Sequence, residues 1–238
     1  YTGSGVMASA VAMDKVMTKR VWQAEGLPTP RWLRLEAGQR TREHIIQVPD
    51  ELGLPLIVKP PREGSSIGIS KVKDEESYRA AMQEAFAYDT KVIIEEFIKG
   101  REIECSVLGN DEPMASVPGE VIVHSEFYSY DAKYLDENGA SLQIPADLPE
   151  KTKKAVQEAA VKTFKALCCE GMGRVDSFVT DDGRVFVNEI NTIPGFTNIS
   201  MYPKMWEASG ISYSQLIDKL IELAIERFEK QQKLKANK

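Results

Sequence analysis

Gly173-Arg174-Val175-Asp176-Ser177-Phe178-Val179-Thr180-Asp181-Asp182-Gly183-Arg184-Val185-Phe186-Val187-Asn188-Glu189-Ile190-Asn191 reads as two strands joined by a tight turn. Strands are expected over 175–179 and 184–190. Asp182-Gly183 predicts a two-residue type I′ turn, because glycine readily supplies the positive φ that such a turn needs. That turn sets Asp176 opposite Glu189 and Arg174 opposite Asn191. Strand side chains alternate, so these four polar groups share one face, while Val175 and Ile190 point to the other. Two directly opposed carboxylates repel unless a cation lies between them. Mg²⁺ suits the pair, since it takes one or two carboxylates together with water and phosphate oxygens. The alternative is a solvated acidic face, and a slip of one residue in register would break the alignment. Thr192-Ile193-Pro194-Gly195-Phe196-Thr197 follows at once, a glycine among hydroxyls whose backbone amides suit an anion, and this favours a site.

Working outward, Met7, Val11, Met13, Val16, Met17, Val21 and Trp22 recur at helical spacing over 4–25, until Gly26, Pro28 and Pro30 stop the helix. Short strands are predicted at 32–35, 56–59, 69–72 and 92–98. Asp74 is a good N-cap for a helix through Tyr78, Met82, Ala85 and Phe86. Residues 102–108 and 113–123 read as strands about a turn at Gly109-Asn110-Asp111. The tyrosine-rich stretch 125–148 has no clear period, and a loop of that length inside a domain is functional or disordered. Helices are expected at 149–169 and at 213–228, the latter with Leu216, Leu220, Leu223 and Ile225 on one stripe and a charged tail behind it. Strands alternating with helices and hairpins indicate an α+β fold rather than a doubly wound parallel sheet.

The bulk numbers exclude several classes. The 238 residues allow one large domain or two modest ones, and 42% hydrophobic with 28% charged residues is an ordinary soluble composition. A net charge of −6 argues against a general nucleic-acid binder. No apolar run is long enough to span a bilayer, and no signal peptide is evident, so no membrane role is expected. Cys105, Cys168 and Cys169 make a poor disulfide framework, which points to a reducing, cytoplasmic setting. His44 and His124 show no zinc spacing, so any metal should be a hard cation held by oxygen. No Ser-His-Asp order supports nucleophilic catalysis. The opening Tyr1-Thr2-Gly3-Ser4-Gly5 reads like the interior of a domain, and a fragment is expected.

Several other residues invite a ligand. Lys59 ends an apolar strand before the loop Arg62-Glu63-Gly64-Ser65-Ser66-Ile67-Gly68. Backbone amides and hydroxyls there can cradle phosphate with Lys59 as a point charge, although the spacing is not a Walker A motif and a plain surface turn has the same composition. Lys15 is either a phosphate ligand or a solvated helix lysine. Around Glu95-Glu96-Phe97-Ile98, main-chain groups of Glu96 and Ile98 could read an adenine edge and acidic groups a ribose; a charged strand edge is the alternative. Tyr128, Tyr130, Lys133 and Tyr134 suit either a mobile clamp on phosphate and substrate or simple loop packing.

Lys59-Pro60, Glu63 to Gly68, Ala132-Lys133-Tyr134, Gly173 to Asp176 and Glu189 to Thr197 together closely resemble the D-alanine–D-alanine ligases of the ATP-grasp superfamily, in the same order from Tyr1 to about Phe228. The resemblance implies an ATP-grasp fold, two α+β subdomains clamping a nucleotide between antiparallel sheets. The expected division is a central, lid-like subdomain at 1–94 and a C-terminal subdomain at 95–238 with the metal and substrate site. It further implies that Lys15, Lys59 and Lys133 contact ATP phosphates, that Glu95, Glu96 and Ile98 hold adenine, and that Glu102 binds ribose. Asp176, Glu189 and Asn191 would bind two Mg²⁺ ions, or Mn²⁺ in their place, with Glu189 bridging. Ser65 and Tyr134 would orient the first D-alanine, Arg174 and the Gly195 amide would stabilise the oxyanion, and Ser200 and Met201 would meet the carboxylate of the second. The implied reaction joins two D-alanines through a D-alanyl phosphate for peptidoglycan synthesis, and the full-length enzyme is expected to be a homodimer. The family's additional N-terminal domain has no counterpart here, so Mg-ATP binding is better supported than turnover. An ATP-grasp ligase with another acceptor, or a nucleotide-binding module without ligation, are the competing readings.

Overall fold

The computed structural model describes residues 1–36, 38, 48–49, 51–123, 140–197 and 199–234, and two antiparallel sheets organise them. The smaller sheet consists of β1 (Trp32–Glu36), β2 (Leu56–Lys59), β3 (Ser70–Val72) and β4 (Lys91–Glu96), in the order β1-β4-β2-β3. Helix α3 (Glu75–Tyr88) covers one face, so that Leu56, Val58, Val92 and Ile94 pack on Tyr78, Met82 and Ala85. Asp74 caps α3 as expected: its carboxylate accepts the Ser77 amide at 2.8 Å, and the Ser77 hydroxyl accepts the Asp74 amide at 3.2 Å, which satisfies two amides that the helix leaves open. Alternation along β2 and β4 turns Ile57, Lys59 and Glu95 to the uncovered face.

The larger sheet runs β10-β9-β5-β7-β8, with β6 also pairing on β5. Its strands are β5 (Arg101–Gly109), β6 (Met114–Ala115), β7 (Gly119–Val123), β8 (Ala140–Gln143), β9 (Gly171–Val179) and β10 (Val185–Asn191). One face is buried against α1 (Val6–Ala12), α2 (Lys15–Ala24) and α4 (Glu150–Ala166), where Trp22 and Phe164 meet Ile103, Cys105, Val175, Val187 and Ile190. The other face is covered at one end by α5 (Met201–Ala208) and α6 (Tyr213–Gln232), through Leu108, Tyr202, Trp206, Leu216 and Leu220. Its other end looks towards the smaller sheet.

These cores divide the chain differently from the expected boundary at 94/95. Residues 1–27 precede the smaller sheet in sequence, yet Ala8, Trp22 and Leu27 bury in the larger body, so the smaller body begins near Trp32. An amphipathic helix is compatible with either sheet, and sequence adjacency does not choose between them. An ion pair between Asp14 and Lys91 ties the start of α2 to β4.

Local differences have local causes. The single helix expected over 4–25 is two, because the Asp14 carboxylate accepts the amides of Val16 (3.1 Å) and Met17 (3.2 Å) and starts a new one. The strand expected over 113–123 is interrupted, with β6 and β7 pairing separately on β5. Strand β8 lies in the stretch that showed no period. Helix α5 was not foreseen, and its Pro203 is tolerated because it sits in the first turn, where no intrahelical amide bond is lost. Among the described residues no helix is long and apolar enough to cross a membrane.

Candidate nucleotide and metal site

The β9–β10 hairpin aligns its polar groups by two irregularities that cancel. Its loop has three residues rather than two: Thr180 and Arg184 close it (Thr180 N–H to Arg184 O, 3.0 Å), and Gly183, at φ +81°, takes the left-handed position. Near the turn, Val187 therefore faces Ser177 and Phe186 faces Phe178, one residue away from the register of a two-residue turn. A bulge at Asn188 then inserts one residue, and beyond it Glu189 faces Asp176 and Asn191 faces Arg174, as expected. The bulge also lets Asn188 reach the cleft beside Glu189, where its Oδ1 accepts from Lys59 Nζ at 3.3 Å.

The row continues across the sheet. Glu104 of β5 stands opposite Asp176, so Glu189, Asp176 and Glu104 line up over three neighbouring strands. Arg174 is bidentate to Asp176, with Nε to Oδ1 and Nη2 to Oδ2 both at 2.7 Å, and its Nε lies 3.0 Å from Glu104 Oε2. The Asn191 amide donates to Asp176 Oδ2 at 3.3 Å. Burial disfavours the Arg174 charge, but Asp176 and then Glu104 and Glu189 outweigh it and hold the guanidinium well above its ordinary pKa.

Opposite this floor, the smaller sheet brings lysines. Lys59 Nζ is 3.0 Å from Glu95 Oε2, and Lys19 Nζ is 3.1 Å from Glu95 Oε1, all three side chains being almost wholly buried. Burial pushes the Lys19 pKa down to about 8, opposed by Glu95 and assisted by Lys59 and Lys15. Glu95 would be pushed up by its own burial, but the two lysines hold it below its usual range. Lys15 opens α2 and spans the bodies: its ammonium donates to Glu63 O at 2.8 Å and lies 3.3 Å from Glu189 Oε2. The cleft between the sheets has a volume of about 440 Å³. Its walls include the apolar Ile57, Phe178 and Val121 besides the lysines and carboxylates.

Other expected residues fall in different settings. Ser65 lines the cleft; Ser65 and Ser66 both have positive φ (51° and 61°), and Ile67 N–H closes the turn on Gly64 O at 3.0 Å. Two consecutive non-glycine residues in that region store strain of about 1 kcal/mol each or more. Glu96, Ile98 and Glu102 line the cleft. The Glu95 carboxylate is enclosed by Lys19 and Lys59, and that of Glu96 accepts the Arg31 amide and Nε, each at 2.8 Å. Ser200 Oγ accepts the Thr197 amide at 3.0 Å and is close to Gly195, away from the main cleft. The Met201 side chain is buried with Val121 and Met205, which leaves its main chain, at the start of α5, for any ligand. Lys133 and Tyr134, with Tyr128 and Tyr130, lie outside the described residues.

Sequence reasoning missed Lys19, Glu104, Phe178 and Asn188. Three carried a signal: Lys19 is one helical turn from Lys15, Phe178 is two residues from Asp176, and Glu104 is two from Glu102. Asn188 carried none, because a bulge has no fixed sequence mark.

The donors suit a hard cation. Two carboxylates and an amide oxygen on one strand pair are the partial set that Mg²⁺ takes when phosphate and water complete its octahedron. Among the described residues no group of three or more Asp, Glu, His or Cys side chains is placed to hold a metal ion by itself. Cys105 and Cys169 are buried, with their thiols pushed up by burial.

A family model described as the D-ala D-ala ligase C-terminus matches residues 21–222. A D-alanine–D-alanine ligase of Shouchella clausii is 53% identical over 237 residues, which is all of this chain and 64% of that protein. The solved D-alanine–D-alanine ligase of Coxiella burnetii superposes with a TM-score of 0.87 at 46% identity, covering 98% of this chain and 62% of its own. A Bacillus anthracis D-alanine–D-alanine ligase solved with ATP superposes with a TM-score of 0.79 at 32% identity, covering 97% and 70%. The chain thus spans just under two thirds of the length of the first two.

Proposed function

The chain belongs to the D-alanine–D-alanine ligase family, and from that premise we propose that its cleft binds Mg-ATP for the ATP-dependent joining of two D-alanines. The observation that carries the reading is the register of β9 on β10, which puts Asp176, Glu189 and Asn191 on the face opposite Lys59 and beside Lys15. A neighbour of the same fold solved with ATP supports nucleotide binding.

In this reading adenine lies between Ile57 and Phe178, with main-chain groups of Glu96 and Ile98 at its edge and Glu102 at the ribose. Glu95 belongs to the same adenine-holding segment, and its carboxylate orients Lys59. Lys59, with Lys15 and Lys133, neutralises the phosphates. Asp176, Glu189 and Asn191 hold two Mg²⁺ ions, or Mn²⁺, which when bound offset charge on the transferring phosphoryl group. A carboxylate oxygen of the first D-alanine attacks the γ-phosphorus, the bond to ADP breaks, and an acyl phosphate results. The amine of the second D-alanine then attacks the acyl carbon, loses a proton, and phosphate leaves. Arg174 and the Gly195 amide donate to the oxyanion formed in between. Ser65 and Tyr134 orient the first substrate, and the Ser200 hydroxyl with the Met201 amide receives the carboxylate of the second. The smaller body, from Trp32 to Glu96, acts as the cover that excludes water from the acyl phosphate. A cytoplasmic, homodimeric enzyme of cell-wall synthesis completes the proposal.

Calorimetric titration of ATP with Mg²⁺ and with a chelator tests it. Binding is expected only with the metal, and to be lost in Asp176→Asn while the circular dichroism spectrum of the folded chain is retained. Equal affinity with and without metal would overturn the site.

A further inference from the structure

The row of carboxylates contains one member that the reading above leaves without a task. Glu104 is placed by strand pairing directly beside Asp176; Arg174 Nε donates to Asp176 Oδ1 at 2.7 Å and forms an ion pair with Glu104 Oε2 at 3.0 Å. Resting on the metal assignment of Asp176, we propose that Glu104 is a positioning residue: it holds Arg174 in the cleft when Asp176 turns its oxygens to a metal ion. The argument is one of competing cations. Arg174 now occupies both Asp176 oxygens, and a metal needs at least one of them. A guanidinium driven off its only carboxylate inside a largely buried site would lose a charge-assisted pair with nothing to replace it. Glu104 provides the second partner without a large movement, because the pair distance to Nε already exists. Arg174 then stays aimed at the reacting carbonyl, and the metal meets a weaker competitor. A planar five-donor group is suited to such sharing between two carboxylates, where a lysine would not be.

The test is a Mn²⁺ titration in the presence of ATP, with free Mn²⁺ read by electron paramagnetic resonance, on the chain as it stands. Glu104→Gln is expected to raise the Mn²⁺ midpoint about fivefold or more, since Arg174 then rests wholly on Asp176. Glu104→Asp, which keeps the carboxylate, is expected to return it towards the original value. In an Arg174→Met background the competitor is gone, and Glu104→Gln should then change the midpoint little. An unchanged midpoint in Glu104→Gln overturns the inference, as does an equal shift in both backgrounds, which would mean a plain through-space charge effect. If the original chain shows no metal-dependent ATP binding at all, the metal reading falls first and this inference with it. Unfolding midpoints in urea separate these outcomes from misfolding.

Discussion

Replacing Lys19 with methionine should abolish a rise of stability with pH that few other groups can produce. Lys19 is fully buried, and facing it are Glu95, Lys59 and Lys15. Burial lowers its pKa from 10.5 to about 8 in the folded protein, so between those values the unfolded chain binds more protons than the folded one. Stability therefore increases as pH rises through that window, is fully gained above the unfolded value, and is lost as pH falls through the folded one. A shift of this size corresponds to roughly 3 kcal/mol over the whole window, of which about 2 kcal/mol falls between pH 8 and pH 10. Urea unfolding of the original chain and of Lys19→Met at those two pH values reads the difference directly, since other lysines and tyrosines titrate equally in both. Methionine keeps most of the volume, so packing loss is small and independent of pH. A gap between the two proteins that stays constant from pH 8 to pH 10 would refute the reasoning, because Lys19 would then keep the same charge in the folded and unfolded chain.

Other consequences can be checked more briefly. Lys59→Ala should weaken ATP binding by about 1.5–3 kcal/mol, the range for a hydrogen bond to a charged group, and calorimetry would show it; unaltered affinity would remove Lys59 from the phosphate site. Glu189→Gln should cost the metal dependence of ATP binding while the circular dichroism spectrum is retained. Gly183→Ala should destabilise by about 1 kcal/mol in urea unfolding, since Gly183 has φ +81° and an added Cβ would sit 3.3 Å from Thr152 Oγ1.

Much of the site was legible because its signals are local. Alternation assigned Asp176 and Glu189 to one face, Asp74 announced a helix start, and Lys59 before a Gly-Ser loop marked a phosphate candidate. The hairpin shows how far such reasoning carries. The expected facing pairs occur, but by a three-residue loop and a bulge that offset each other, where a two-residue turn and a regular ladder were expected. Glu95 shows where it stops: an acidic residue on a strand edge reads as solvated or ligand-facing, whereas its carboxylate lies between two lysines from separate elements.

From its residues alone the chain could be read as an α+β protein with Asp176 and Glu189 on one face of a hairpin, since caps, turn formers and side-chain alternation act over a few residues; the ATP-grasp expectation came from the resemblance of its motifs to a known family. Only the tertiary structure decided that α1 and α2 join the larger body, that Glu104 extends the carboxylate row, and that Lys19 and Lys59 share one buried carboxylate. Those arrangements rest on contacts between residues far apart in the chain, where burial strengthens charge pairing and the geometry of two packed bodies selects the partners.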